Sequence, residues 1–313
     1  MQQAKSPDNP EILNDYLIFL SIVKGRSPRT VAEYNLDLRL FLKYIKFMKT
    51  EHNQPAVEDM DIRDVDITLL RQVTLQDIYQ FEYYLQDDRQ NRDRARSRKT
   101  SAVKGFFSYL TYNMTLLEKN PAEHLELPGV KHSLPKFLSL EESLRMLSSV
   151  ESDHPQRDYC ILVLFLNCGI RLSELVGINV QDVDMYERRL RILGKGNKER
   201  LVYFDARTKI HLQNYLEGRT DENPALFVSL KAPFDRLMIG GVETRLRELG
   251  KRLNIPKVHP HKFRRTLATT AIDKGMPIEQ VQQLLGHQKI DTTMHYAMVK
   301  QQNVKLAHRK YIG

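Results

Sequence analysis

Apolar residues recur at helical intervals through Val31-Ala-Glu-Tyr-Asn-Leu-Asp-Leu-Arg-Leu-Phe-Leu42, and the stretch predicts an amphipathic helix. Thr30 before it, with Glu33 three residues on, predicts an N-cap completed as a capping box. Thr74 and Asp77 repeat that start signal ahead of an aromatic-rich run, and Ser101-Ala-Val-Lys-Gly-Phe-Phe-Ser-Tyr-Leu110 lies on a third helix. No run between Asn9 and Tyr112 alternates strictly enough for a strand, so this half is expected to be all-helical. From Asn120 to Pro135 prolines interrupt any helix and predict an extended linker. Ser139-Leu-Glu-Glu142 then opens a new helix by an N-cap followed by acidic first-turn residues. Further on the period changes: Arg189-Leu-Arg-Ile-Leu193 alternates, Gly194-Lys-Gly-Asn-Lys198 turns, and Glu199-Arg-Leu-Val-Tyr-Phe204 returns as a hairpin. No internal repeat or low-complexity tract interrupts this plan.

A chain of 313 residues with 41% hydrophobic and 28% charged residues suits a globular protein of two domains. The net charge of +9 makes polyanions the leading partner class, nucleic acid ahead of acidic membrane. Basic residues are spread along the chain, which points to a folded basic surface rather than a polycationic arm. The two cysteines, Cys160 and Cys168, sit in one apolar run and read as small buried hydrophobes in a reducing cytoplasm. Tyr16–Val23 is apolar but far short of the roughly 20 residues that span a bilayer, and it lacks the flanks of a signal peptide. No membrane association is expected.

Four segments carry candidate chemistry. In Cys168-Gly-Ile-Arg171-Leu-Ser-Glu174, an arginine follows a glycine break and opens a helix, where its fork could face an anion; taken alone the segment favours a surface arginine paired to Glu174. Lys195 stands at the hairpin tip, placed to swing into a site or simply to be solvated. In His259-Pro-His261-Lys-Phe-Arg264-Arg265, His261 and Arg264 are three apart on a helix that Pro260 begins, so they could grip one phosphate from one face. Metal binding by the two histidines lacks a carboxylate or cysteine partner at ligand spacing. Last, Gly286 reads as a helix C-cap before His287, Asp291 as the next N-cap, and Tyr296 lies just over a turn beyond. A tyrosine there is ordinarily a core residue. Together these supply a nucleophile, a proton donor and several cations to neutralise phosphoryl oxygens. No carboxylate cluster offers itself to magnesium, so protein cations take the metal's place and no cofactor is expected.

This set resembles the tyrosine recombinase (phage integrase) family, in particular its compact Xer-like members and small mobile-element integrases. The matching stretches are Gly169-Ile-Arg171-Leu-Ser-Glu174, Gly194-Lys195 through Arg200, His261-Lys-Phe-Arg264, Leu285-Gly-His287 and Thr292-Thr-Met-His-Tyr296, in the family's order and spacing. Ser27-Pro-Arg-Thr30, Tyr34, Phe106-Phe-Ser-Tyr-Leu110 and Asn120-Pro-Ala extend the likeness over nearly the whole chain. Arg265 stands where the family often has histidine, and Tyr203 where a proline is common; neither is a catalytic position.

The resemblance implies a mainly α fold with a small β-sheet, in which a helical domain and a mixed catalytic domain form a clamp around DNA. It implies a core-binding domain over 9–118, a linker over 119–135, a catalytic domain over 136–299 and a C-terminal segment, 300–313, that docks on a neighbouring subunit. It implies site-specific recombination through a 3′-phosphotyrosyl intermediate and a Holliday junction. Tyr296 is then the nucleophile, His261 the base, Lys195 the acid, Arg171 and Arg264 the phosphate clamp, and His287 a hydrogen-bond donor. Arg26, Arg29 and Thr30, with Arg96, Arg98, Lys99 and Thr100, are the expected DNA contacts. The implied partners are double-stranded DNA bearing recombination sites and a homo-tetramer, or a hetero-tetramer with a second recombinase, with an accessory protein left open. The implied location is the cytoplasm, at the nucleoid. Two alternatives stay open: a non-catalytic DNA-binding protein, and a type IB topoisomerase-like relaxer.

Overall fold

A computed structural model describes residues 5–50, 56–129, 137–150, 155–194, 199–229, 231–287, 290, 293 and 294. The chain divides into two compact units, Met1–His132 and Ser133–Gly313. Among the described residues no helix is long and apolar enough to cross a membrane.

The first unit is helical: α1 (Glu11–Ile22), α2 (Pro28–Lys49), the single turn α3 (Ile67–Leu70), α4 (Leu75–Gln86) and α5 (Asp93–Ser108), which runs into a π turn over Tyr109–Asn113. Phe41 of α2 is fully buried and meets Phe81 of α4 and Phe107 of α5 edge-on, with centroids 5.2 and 5.8 Å away. Each such ring contributes roughly 1.5–3 kcal/mol by leaving water, so this cluster helps tie the three helices together.

The predicted cap at Thr74 forms in full: its hydroxyl accepts the Asp77 N–H at 3.2 Å and the Asp77 carboxylate accepts the Thr74 N–H at 2.8 Å. The start of α2 differs from the expectation. Ser27, not Thr30, is the N-cap; its hydroxyl accepts the Thr30 N–H at 3.2 Å. Pro28 occupies the first helical position, where its missing N–H costs nothing. Glu33 does not turn back to the helix start but pairs with Arg98 of α5 at 2.8 Å.

The second unit holds α6 (Leu140–Ser148), α7 (Pro155–Cys168), α8 (Leu172–Gly177), β1 (Val183–Asp184), β2 (Arg189–Leu193), β3 (Glu199–Tyr203), α9 (Ala206–Glu217), α10 (Ile239–Arg252), α11 (Pro260–Asp273) and α12 (Ile278–Leu285). Ser139 and Glu142 cap α6 reciprocally, as predicted. The three strands form an antiparallel sheet in the order β1-β2-β3, with Leu190 opposite Val202 and Ile192 opposite Arg200. Two-residue β1 is too short to leave a pattern in the sequence.

Helix α7 is the core of this unit and packs on α9 and α11, where Phe165 stacks with Phe263 at 5.8 Å. Cys160 and Cys168 are both free and buried in it, and burial pushes their thiols up to about 12. They are therefore unreactive core residues at neutral pH.

Candidate active site

Gly169, between α7 and α8, adopts φ +56°, and a Cβ there would lie 2.7 Å from the Leu267 and Leu285 methyl groups. Only glycine satisfies both the left-handed backbone and the close approach. The turn delivers Arg171 to the N-cap position of α8, as the sequence predicted. Gly286 closes α12 with φ +61°, the expected left-handed C-cap, and presents His287. Pro260 begins α11, with His259 at the N-cap.

These three corners meet through arginine. Arg264 on α11 is buried, 3% exposed, and donates to the carbonyls of Gly169 and Leu285. Arg171 Nη2 donates to the Gly286 carbonyl at 3.0 Å. The two glycine turns are thus stitched together by the two guanidinium groups. The expectation that His261 and Arg264 offer one shared face needs correction: His261 is exposed, whereas Arg264 points inward to backbone carbonyls. A three-residue step on a helix turns through about 300° and leaves room for that divergence.

Glu174 lies beneath Arg171. Its carboxylate accepts the Arg171 N–H at 2.7 Å and Arg171 Nη1 at 2.7 Å. Arg200 of β3 reaches the same carboxylate with both terminal nitrogens, at 2.7 and 2.9 Å. Burial alone would raise the Glu174 carboxyl, but the hydrogen bonds and charges of Arg200 and Arg171 outweigh it and hold it at about 2. The carboxylate is therefore always ionised at neutral pH and shared between two arginines. The sequence reading had paired Arg171 with Glu174 but assigned Arg200 no part. The signal was present in the strand: Arg200 shares the inward face with buried Val202 while Leu201 points out, so a charge stands where an apolar residue belongs.

Both histidines are held below their ordinary range. For His261 the causes are loss of solvent around the ring, then the charges of Arg264, Arg265 and Arg171. His287 is lowered to about 4 by burial, then by Arg264, Arg171 and Arg200. Its Nδ1 meets the hydroxyl of fully buried Thr293 at 2.8 Å. Thr293 is a second residue that the sequence reading passed over. At neutral pH both rings are uncharged, so one can accept a proton and the other can hydrogen-bond without adding charge. The two remaining predicted catalytic residues, Lys195 and Tyr296, lie outside the described residues, as do Asp291 and the segment 300–313.

In the first unit the predicted DNA contacts separate into two groups. Arg26 and Arg29 are exposed and Thr30 is half-buried at the start of α2. The α5 group is engaged internally. Arg98 and Lys99 donate to the fully buried Asp37 of α2 at 2.5 and 2.7 Å. Burial still pushes the Asp37 carboxyl up, against the pull of Lys99 and Arg98. Arg96 binds Asp93 at 3.0 Å and also Gln86. Thr100 is completely buried and bonds to Glu82 and to the Arg96 carbonyl. Thr100 is thus a packing residue with no exposed surface to offer DNA, contrary to the expectation. Asp37 was the missed signal, a lone carboxylate on an otherwise apolar helix face that demands a cation.

Comparison with known proteins shows the family. The sequence profile of the phage integrase family matches residues 136–303, and that of the phage integrase N-terminal SAM-like domain matches residues 13–65. The chain is 36% identical over 309 residues to a tyrosine recombinase XerC of Caldanaerobacter subterraneus subsp. tengcongensis, covering 96% of this chain and 86% of that protein. It is 31% identical over 307 residues to the XerC of Leptospira interrogans, covering 96% and 92%. Among solved structures it is similar to the XerA recombinase (25% identity, TM-score 0.51, 96% and 99% covered). It shares the fold of XerH site-specific recombinase bound to palindromic difH substrate in a post-cleavage complex (20% identity, TM-score 0.69, 88% and 78% covered). With one family profile over its carboxy-terminal half and relatives aligned along nearly its whole length, this chain belongs to the phage integrase family and is a tyrosine recombinase.

Proposed function

We propose that the chain carries out site-specific DNA recombination with Tyr296 as nucleophile and the Arg171–Arg264–His261–His287 cluster as its phosphate site. The observation that supports this reading is the meeting of α8, α11 and the end of α12, where Arg171 bonds the Gly286 carbonyl and Arg264 the Gly169 and Leu285 carbonyls beside His287, with His261 in the first turn of α11. The Tyr296 hydroxyl attacks the scissile phosphorus and a 3′-phosphotyrosyl bond forms as the bond to the 5′-oxygen breaks. A free tyrosine, with pKa about 10, needs a base and a cationic setting. Neutral His261 accepts its proton, and Lys195 gives one to the leaving 5′-oxygen. Arg171 and Arg264 neutralise the non-bridging oxygens, and the His287 ring donates to one of them. Thr293 supports this by fixing the ring through Nδ1.

The covalent link retains the energy of the phosphodiester, so rejoining needs no nucleotide cofactor. Attack by a 5′-hydroxyl from a partner duplex gives strand exchange through a Holliday junction, within a tetramer of this chain or of this chain and a second recombinase. The 300–313 segment docks between subunits in that assembly. Arg26, Arg29 and Thr30 contact backbone phosphates, and the protein works in the cytoplasm at the nucleoid.

The test is to mix the protein with fragmented genomic DNA from its source, denature with detergent, and sequence the fragments that remain attached, with Tyr296→Phe as control. Attachment at a few sharp sites, lost in the variant, is the expected result. Tyrosine-dependent attachment scattered over all sequences would point instead to a relaxing enzyme, and attachment that survives in the variant would refute Tyr296.

A further inference from the structure

Arg200 belongs to neither the predicted catalytic set nor the helices that carry it; it reaches the site from β3. Its guanidinium makes two contacts of different kinds. One is the two-pronged hydrogen bond to Glu174, at 2.7 and 2.9 Å. The other is to the turn before His287: a Cβ on Gly286 would lie 3.2–3.3 Å from Arg200 Cδ, Nε and Cζ, so the guanidinium lies against the bare glycine backbone. The Arg200 side chain is 15% exposed and the Glu174 side chain 3% exposed, so both contacts are largely shielded from water.

We infer that Arg200 is a positioning residue for the phosphate site: by gripping both oxygens of the Glu174 carboxylate and seating the Gly286 turn, it keeps the Arg171 fork from closing on Glu174 and holds His287 in place. The inference rests on the recombinase reading of that site. The two arginines compete for one carboxylate. Glu174 has two oxygens, and an arginine prefers to bind both with its fork. With Arg200 present, Arg171 gives Glu174 a single terminal nitrogen, and its other terminal nitrogen bonds Gly286. Without Arg200 the carboxylate is free to take Arg171 two-pronged, which rotates that fork away from the phosphate and cancels its charge at closer range.

The balance of charge points the same way. Arg171, Arg200 and Arg264 all act on His287, and Glu174 is bonded to the first two, so these four charges sum to an excess of two positives around the ring. Loss of Arg200 halves that excess. Arg200 is also a residue of β3, so its bond to Glu174 fastens that strand to the segment bearing the clamp.

The experiment compares wild type, Arg200→Gln and Arg200→Lys in single-turnover cleavage of a mapped site, with DNA affinity and a melting curve measured alongside. Arg200→Gln loses the charge-assisted pair and Arg200→Lys its two-pronged geometry, so in each cleavage is expected to slow by on the order of 10- to 100-fold at unchanged affinity. The His287 ring, followed by NMR titration of the free protein, separates positioning from mere support of the fold. In Arg200→Gln its midpoint should rise by a small step above about 4, because burial, Arg264 on α11 and Arg171 on α8, the larger causes, remain, with Glu174 and the neutral Thr293 beside them. In Arg200→Lys the charge remains and the midpoint should stay low while the rate still falls. Should the glutamine variant unfold, the lysine variant decides by its rate alone. Wild-type cleavage rates in Arg200→Lys, or in a folded Arg200→Gln, overturn the inference and leave the recombinase reading intact. Failure of the wild type itself to form an adduct overturns both.

Discussion

Replacing Glu174 by glutamine tests how the site is held together. In the folded chain this carboxyl is lowered from 4.5 to about 2, although burial opposes its ionisation. At about 1.36 kcal/mol per pH unit, the ionised form is worth about 3 kcal/mol more to the folded than to the unfolded chain. The side chain is 3% exposed, so solvent screening removes little of that. Glutamine keeps the shape but removes the charge, and it turns an acceptor pair into one acceptor and one donor facing two guanidiniums. For a unit of this size each kcal/mol moves the melting point by about 2–4 °C, so the variant should melt about 6–12 °C lower at pH 7 by calorimetry of the second unit's transition. The sign with pH follows from the direction of the shift. A lowered carboxyl stabilises fully above its unfolded value and loses that contribution as pH falls through the folded one. The gap between wild type and variant should therefore be constant above about pH 5 and close between about 4.5 and about 2. A variant that melts within 2 °C of wild type, or a gap that does not narrow in acid, would refute the claim that Glu174 is the shared anchor.

Three other outcomes are expected. Gly169→Ala forces a Cβ into a left-handed turn and to within 2.7 Å of two leucine methyl groups; it should cost about 1–3 kcal/mol and cut cleavage with it, as seen by melting and adduct formation, because the Gly169 carbonyl seats Arg264. If His261 is the base, cleavage by the wild type should hold level from neutral pH and decline with a midpoint below 6.5, since its neighbours lower the ring and only the neutral form accepts a proton; a midpoint above 7 in a rate profile would remove His261 from that role. Changing Arg26 and Arg29 to glutamine should weaken binding on all sequences alike and flatten the salt dependence of affinity by about 1–2 in log–log slope, whereas an unchanged slope would make both arginines bystanders.

What could be read from the sequence was local. The reciprocal caps at Thr74–Asp77 and Ser139–Glu142, the hairpin around Gly194, the left-handed close at Gly286 and the proline start at 260 are each decided by residues within a turn of one another. The start of α2 shows where local reading ends. Ser27 and Thr30 are both good caps, and the choice was made by Pro28 and by Glu33 finding Arg98 on another helix. The same holds for the α5 basic residues, whose partner Asp37 is some 60 positions away in the chain. In the site, residue types and spacing indicated which groups matter, but not that Arg264 faces inward or that Arg200 shares Glu174. Those depend on strand β3 arriving beside α8, which no short window of sequence contains.

The proposed reaction turns on one covalent bond, and mass spectrometry of the trapped adduct tests it most directly. Protein denatured on DNA carrying a mapped site would be digested with nuclease and protease, and the nucleotide-bearing peptide sequenced. The expected result is a 3′-phosphonucleotide on Tyr296 in the wild type, absent from Tyr296→Phe and strongly diminished in Arg171→Lys. A phosphonucleotide on any other side chain, or none with DNA cut all the same, would contradict the assignment.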